Sequence, residues 1–236
     1  MNLRALSIVL LLTAAQAISA QKADNSPVIN GHKFVDLALP SRLLWAETNI
    51  GAKTAGDDGK YFAWGETATD NRAARQWKTY RFGSSQDHLT KYNSADKKTT
   101  LDGEDDAAQT NWGASCRMPS EEDFDELLDP TNCEWTWTST TTTKGTAAKG
   151  YKVTSVRNGK SIFLPASGNL DGGRVYNRGL DGHYWSRTLG HYDSEAHALM
   201  FNKIRIPEQA CLYRFWGCTI RPVAEQQLQT GTLIKI

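Results

Sequence analysis

The chain has 236 residues, with 27 lysines and arginines against 26 acidic residues, and the resulting formal charge of +1 gives no electrostatic basis for nucleic acid or a strongly charged membrane as partner. That length fits one large domain or two small ones. The apolar fraction is ordinary, and the tilt toward glycine, tryptophan and tyrosine suits aromatic strands joined by many turns.

Met1–Arg4 carries one positive residue and Ala5–Leu12 is an apolar run too short to span a bilayer. Ala15-Gln16-Ala17 and Ile18-Ser19-Ala20 are rival small-residue cleavage signals. The pattern predicts a secretory signal peptide over residues 1–20, with Ala17 as the alternative cut, followed by a flexible polar leader over 21–32. No cysteine near the cut favours a lipid anchor, and no later apolar run is long enough for a transmembrane segment. The expected destination is secreted, periplasmic or at the outer cell surface. Four cysteines, Cys116, Cys133, Cys211 and Cys218, permit two disulfides in an exported chain, with three connectivities open. Buried free thiols are the alternative, and the spacings do not fit a zinc knuckle.

Phe34–Pro40 reads as a strand stopped by proline, and Leu43–Ala46 as a second brief one. Gly56-Asp57-Asp58-Gly59 is a tight polar turn leading into Tyr61–Glu66, an aromatic strand end. Thr67–Asp102 lacks a clear period; Trp77, Tyr80 and Phe82 are candidate anchors for a long excursion. Asp102-Gly103-Glu104-Asp105-Asp106 opens a short helix, where the dipole favours acids.

The local signals agree best over Asn111–Leu128. Pro119 keeps Met118 extended, Ser120 is placed to cap a helix, and Asp123 completes an approximate capping box. Phe124, Leu127 and Leu128 share one face of a helix that ends at Asp129-Pro130, and that face needs a covering layer. In Cys133–Thr138 the residues alternate, putting Trp135 and Trp137 on one strand face and Thr136 and Thr138 on the other. Ser139–Gly150 reads as a threonine-rich hairpin loop, and Asn158-Gly159 as a two-residue hairpin turn between Val153–Val156 and Ser161–Leu164. Gly168–Gly182 is a glycine-rich surface stretch before the short strand Tyr184–Ser186. Ala198–Phe201 and Ile204–Ile206 read as a hairpin turning at Asn202-Lys203. Cys218–Val223 closes the fold, and residues 225–236 form a C-terminal tail. The sum is one α+β domain over residues 33–224, with short helices packed on small twisted antiparallel sheets and long irregular loops.

An ordered series of motifs then resembles a known family. Phe34–Ser41, Leu44-Trp45-Ala46, Asn49–Ala52, Tyr61–Glu66, Asp105–Ala108, Trp112-Gly113, Arg117-Met118-Pro119, Cys133–Trp137, Gly150–Thr154, Ser161–Ala166 and Ile220–Val223 are similar to the Fibrobacter succinogenes major paralogous domain. That family is abundant in secreted Bacteroidetes and Fibrobacter proteins. The resemblance implies a C-type-lectin-like fold, shared with formylglycine-generating enzymes and intimin or invasin tips, and no single activity. Ser41-Arg42-Leu43 departs from the family's usual serine–glycine–threonine, and Cys116 stands where a tryptophan is expected. Cys218 is also atypical, and the two departures suggest a private Cys116–Cys218 bridge. The sugar-and-calcium motifs of true C-type lectins are absent.

No convergent nucleophile, base and orienting partner can be read from the chain, so an enzyme related to the formylglycine-generating fold is the third reading. His191 and His197, with Asp193 and Glu195 between them, form a cluster able to bind a metal, though surface polar residues around a hairpin explain it as well. Asp102, Glu104, Asp105 and Asp106 offer oxygen ligands suited to calcium, the one candidate cofactor, against the simpler reading of helix-start charges. Asp57 and Asp58 are weaker candidates. The binding surface is expected on Trp77, Tyr80 and Arg81 and on Tyr176, Asn177, Arg178, His183, Tyr184 and Trp185, where aromatic rings accompany polar groups. The function expected first is a non-catalytic binding or adhesion module for a glycan or surface protein; a structural accessory of an extracellular assembly comes second.

Overall fold

A computed structural model of the chain describes residues 26–69, 76–205 and 207–226. The predicted signal peptide, part of the leader, Ile206 and most of the C-terminal tail lie outside the described residues. Near the start, β1 (Val28–Ile29) and β2 (His32–Asp36) form a hairpin, and β3 (Leu44–Ala46) pairs with β2. A 3-10 turn at Trp77–Thr79 precedes a small hairpin of β4 (Gly83–Ser85) and β5 (His88–Leu89), and another at Gly103–Asp105 leads to the helices. The two helices, α1 (Ala107–Trp112) and α2 (Glu121–Leu128), flank β6 (Cys116–Arg117). Next come β7 (Cys133–Thr141), β8 (Ala147–Ser155) and β9 (Ser161–Pro165), a three-stranded meander. The hairpin β10 (Asn169–Asp171) and β11 (Arg174–Tyr176) leads to a second meander of β12 (Asp181–Leu189), β13 (Glu195–Asn202) and β14 (Glu208–Tyr213). Finally β15 (Val223–Ala224) inserts between β3 and β6, completing a sheet in the order β1-β2-β3-β15-β6. Small antiparallel sheets with few helices make the fold broadly α+β.

The helix expected after Pro119 forms as read. Ser120 Oγ accepts from the Asp123 amide at 3.3 Å, and Asp123 Oδ2 accepts from the Ser120 amide at 2.7 Å, so aspartate closes the capping box. Arg117 Nη1 donates to the same Asp123 carboxylate at 2.5 Å, tying β6 to the helix start. Phe124 and Leu127 are buried, with Leu128 half-buried beside them, against Trp45 and the aromatic strands that follow. At α1 the cap is Asp106: its buried carboxylate accepts from the Ala108, Gln109 and Met118 amides, joining helix to strand.

Two apolar cores lie on opposite sides of the central strands. Leu44 and Ala46 of β3, Trp185 of β12, Ala196 and Ala198 of β13 and Ala224 of β15 face one. Their alternates, Trp45, Tyr184, Leu199, Phe201 and Val223, face the other. A strand's period of two therefore yields unbroken apolar runs wherever both faces are covered.

Two arginines cross this interior. Arg221, 0% exposed, donates to Asn49 Oδ1 (2.8 Å) and to the carbonyls of Ala46 (3.1 Å), Glu47 (3.1 Å) and Phe163 (2.9 Å). Burial pulls its pKa down to about 10, yet four of the five guanidinium N–H groups meet neutral acceptors. Arg214 donates to Tyr80 Oη and to the carbonyls of Tyr92, Asp193 and Lys91, with its charge 4.8 Å from the centre of the Trp64 ring.

Several expectations need correction. No disulfide forms: Cys116 lies opposite Ala224, Cys133 opposite Ser155, Cys211 opposite His197 and Cys218 opposite Phe62, so the four thiols face four different strand partners and the Cys116–Cys218 bridge is not made. The threonine run is strand rather than loop, because β7 and β8 continue to a turn at Thr142–Thr146. Asn158-Gly159 does not make a two-residue turn: Ser155 Oγ accepts from the Arg157 and Asn158 amides, and Asn158 Nδ2 reaches the Asp36 carbonyl, holding a wider loop open. The strand returning from Asn202 is β14, whereas Ile204 is 96% exposed. Tyr61–Glu66 makes only a single bridge, Phe62 to Cys218.

Replacing Arg221 with leucine strands four acceptors, three of them buried and each of those costing about 1–3 kcal/mol. A loss of at least about 3 kcal/mol is expected, read as a lower urea midpoint at unchanged slope. Lysine should recover less than half of it, because a point charge cannot span a four-acceptor fork.

Candidate functional site

The residues expected to form the binding surface divide into interior and exposed groups. Tyr184 donates to the Pro165 carbonyl at 2.7 Å and stacks on Phe201, and Trp185 donates to the Phe62 carbonyl at 2.8 Å. Tyr80 donates to the Trp64 carbonyl at 2.7 Å. His183 is buried as well, and burial lowers its pKa so that the ring is neutral. These four are core residues: the polar tips of Tyr184, Trp185 and Tyr80 are used inside the fold, and His183 Nδ1 is enclosed without a protein partner. Trp77 is half-buried, edge-on to Tyr80, Tyr213 and Phe215. Arg81 lies over the Phe82 ring and pairs with Asp105 at 3.0 Å. This excursion is therefore fastened down by its own aromatics.

The acidic cluster is internally neutralised. Lys91 Nζ lies 2.8 Å from Asp102, 3.1 Å from Glu104 and 2.5 Å from Asp105, the position a cation would take among them. Lys98 also pairs with Asp102, whose carboxyl is held at about 2 by these two ammonium groups. Asp106 points away as the α1 cap.

Tyr176, Asn177 and Arg178 do reach the surface. Gly172 and Gly173, both at positive φ, make the two-residue turn between paired Asp171 and Arg174. At the base of this hairpin only glycine fits: a Cβ on Gly168 would stand 1.9 Å from the Tyr176 carbonyl oxygen. The hairpin consequently presents Arg174, Val175 and Tyr176 outward, with Tyr176 48% exposed. Asn177 turns the chain at φ +55° and donates to Asp181 at 2.7 Å. Arg178 Nε then meets Asp58 Oδ2 at 2.5 Å.

That ion pair floors a cleft of about 400 Å³ between the glycine-rich stretch and the tip of the β7–β8 hairpin. Its walls carry Thr142, Lys144, Thr146 and Lys149 on one side and exposed Leu180 on the other. Burial pushes the Asp58 carboxyl up, against the pull of Arg178 and of hydroxyls from Ser167 and Tyr61. Asp57 works differently: its carboxylate accepts from the Thr143 amide (2.9 Å), the Thr143 hydroxyl and the Thr54 amide (3.0 Å), pinning the hairpin tip to the Gly56–Gly59 turn. Thr142, Lys144, Thr146 and Lys149 were not anticipated as site residues. The signal was the strict alternation of Cys133–Thr138 followed by a β-branched threonine run, which continues the strand to Thr141 and carries its tip over Asp58.

With Asp58 paired and Lys144, Lys149 and Arg178 around it, the cleft has a positive balance and many hydroxyls. Such a set donates to carboxylate, sulfate or sugar hydroxyl oxygens. Among the described residues lining it there is no histidine or cysteine. Elsewhere, burial raises Cys116 and sets Cys133 at about 11, leaving both as poorly nucleophilic thiols. Compared with protein-family models, curated proteins and solved structures, the chain finds no match in any of the three.

Burial pushes the Asp57 carboxyl upward, but the hydrogen bonds from Thr143 and Thr54 outweigh it and hold the group at about 2, below the ordinary 3.8. A depressed acid stabilises above its unfolded pKa and loses that contribution as pH falls through the folded one. The hairpin tip should therefore loosen between about pH 4 and 2, seen as titration of the Thr143 amide resonance, and Asp57→Asn should abolish that titration.

Proposed function

We propose that the chain is an exported, non-catalytic binding module of C-type-lectin-like fold, related to the paralogous domain whose motifs it carries, and that its cleft takes a glycan with acidic groups. The observation that carries this reading is the cleft over Asp58–Arg178, where two lysines, an arginine and threonine hydroxyls line a polar depression with one apolar edge. Sugars present an alternation of hydroxyls and C–H faces that such a lining complements. Calcium has no part in this reading, because Lys91 occupies the acidic cluster. A second reading, a surface-protein ligand, draws on the exposed Val175–Tyr176 hairpin, since tyrosine and arginine dominate protein contact hot spots.

The test is a glycan array probed with the mature protein, followed by titration calorimetry with Lys149→Glu and Arg178→Ala. Each variant should weaken binding of an acidic glycan at least tenfold, about 1.4 kcal/mol, with unchanged thermal midpoint. Tyr176→Ala should leave glycan affinity intact. Glycan binding indifferent to both cleft variants would remove the proposal.

A further inference from the structure

Away from the cleft, the pairing of β13 with β14 sets His197 directly opposite Cys211. Directly opposed residues of an antiparallel pair project from the same face with Cβ atoms about 4.5–5.5 Å apart. The turn before β13, closed by the Gly190 and Glu195 backbones, folds His191 back so that its ring lies 5.2 Å from that of His197, nearly perpendicular. One donor atom from each of His191, His197 and Cys211 falls within 4.8 Å of the other two. A tetrahedral ion with bonds of about 2.0–2.3 Å needs ligand atoms roughly 3.3–3.8 Å apart, a contraction available to the exposed His191.

His197 supplies an independent sign. Its side chain is 9% exposed, Nε2 lies 3.3 Å from Glu121 Oε2, and Nδ1 is buried without a protein partner. A carboxylate beside one ring nitrogen of a histidine, with the other nitrogen free of protein partners, is the arrangement in which metal-bound imidazoles are oriented. Glu121 is itself fixed as the first residue of α2: its amide donates to Thr188 Oγ1 at 3.1 Å and its carbonyl accepts from Gln209 at 3.0 Å. The His191 backbone N–H is also turned toward the Cys211 sulfur.

We propose that His191, His197 and Cys211 bind a divalent transition-metal ion, zinc being the best match, with Glu121 orienting the His197 imidazole. Two imidazoles and a thiolate are borderline-to-soft donors, which select zinc over calcium or magnesium. Binding forms the metal–sulfur bond as the Cys211 proton leaves to solvent, and the carboxylates of Glu121 and Glu195 balance the remaining charge. Three protein donors leave one tetrahedral position for water or an external ligand. This site is independent of the glycan reading.

The full chain, kept reduced, is dialysed against zinc chloride and its metal measured by mass spectrometry; cobalt(II) is then substituted and the absorption spectrum recorded. The expected results are stoichiometric zinc and a cobalt spectrum with intense tetrahedral d–d bands plus a thiolate charge-transfer band. Cys211→Ser should lose both the zinc and the charge-transfer band, and His191→Asn should weaken zinc binding. Glu121→Gln should keep the cobalt spectrum and cost about 10- to 100-fold in zinc affinity. Zinc retained equally by wild type, Cys211→Ser and His191→Asn, or a wild-type cobalt spectrum without the thiolate band, overturns the proposal. The wild-type spectrum alone decides should Cys211→Ser not fold.

Discussion

The buried guanidinium of Arg221 is the constraint from which most of the architecture follows. A charge removed from water is tolerable only when it is well hydrogen-bonded, and here the partners are Asn49 and the carbonyls of Ala46, Glu47 and Phe163. One side chain therefore fixes the exit of β3, the middle of β9 and the approach to β15. Arg214 does the same for the excursion carrying Tyr80 and Tyr92. Irregular backbone needs such partners, because carbonyls outside a ladder have to be satisfied somewhere.

Around these two posts the strands are short, and their stability comes from having both faces covered. Trp45 and Leu44, or Tyr184 and Trp185, are neighbours in the chain yet belong to different cores. The helices cap this arrangement through their N-termini: Ser120 with Asp123, and Asp106 reaching across to Met118. The candidate polar surfaces lie at the periphery, on a hairpin tip, a glycine-rich hairpin and the turn before β13.

Much of this is legible from residue chemistry. The box at Ser120–Asp123, the buried face of Phe124 and Leu127, and the alternation at Trp135 and Trp137 are local signals that tertiary contacts reinforced. What could not be read is non-local. Arg214 and Arg221 look like ordinary surface charges until their carbonyl partners, more than one hundred residues away in most cases, are known. Tyr184 and Trp185 resemble a presentable aromatic pair until strands cover both faces. The cleft joins Asp58 to Arg178, and Cys211 and Glu121 come beside the His191–His197 pair; no spacing rule supplies either set. Asn158-Gly159 misleads for a related reason, since its dipeptide preference yields to the bond between Asn158 and the Asp36 carbonyl.

The position of the two buried arginines has a consequence for how the polypeptide matures during synthesis. The carbonyls of Lys91 and Tyr92 and of Ala46 and Glu47 emerge first and have to wait for cations more than one hundred residues later in the chain. Until those residues leave the ribosome, the interior lacks its counter-groups, and collapse around the early aromatics would bury bare carbonyls. A chain built this way consolidates its interior late, once both guanidinium groups can reach the carbonyls that precede them.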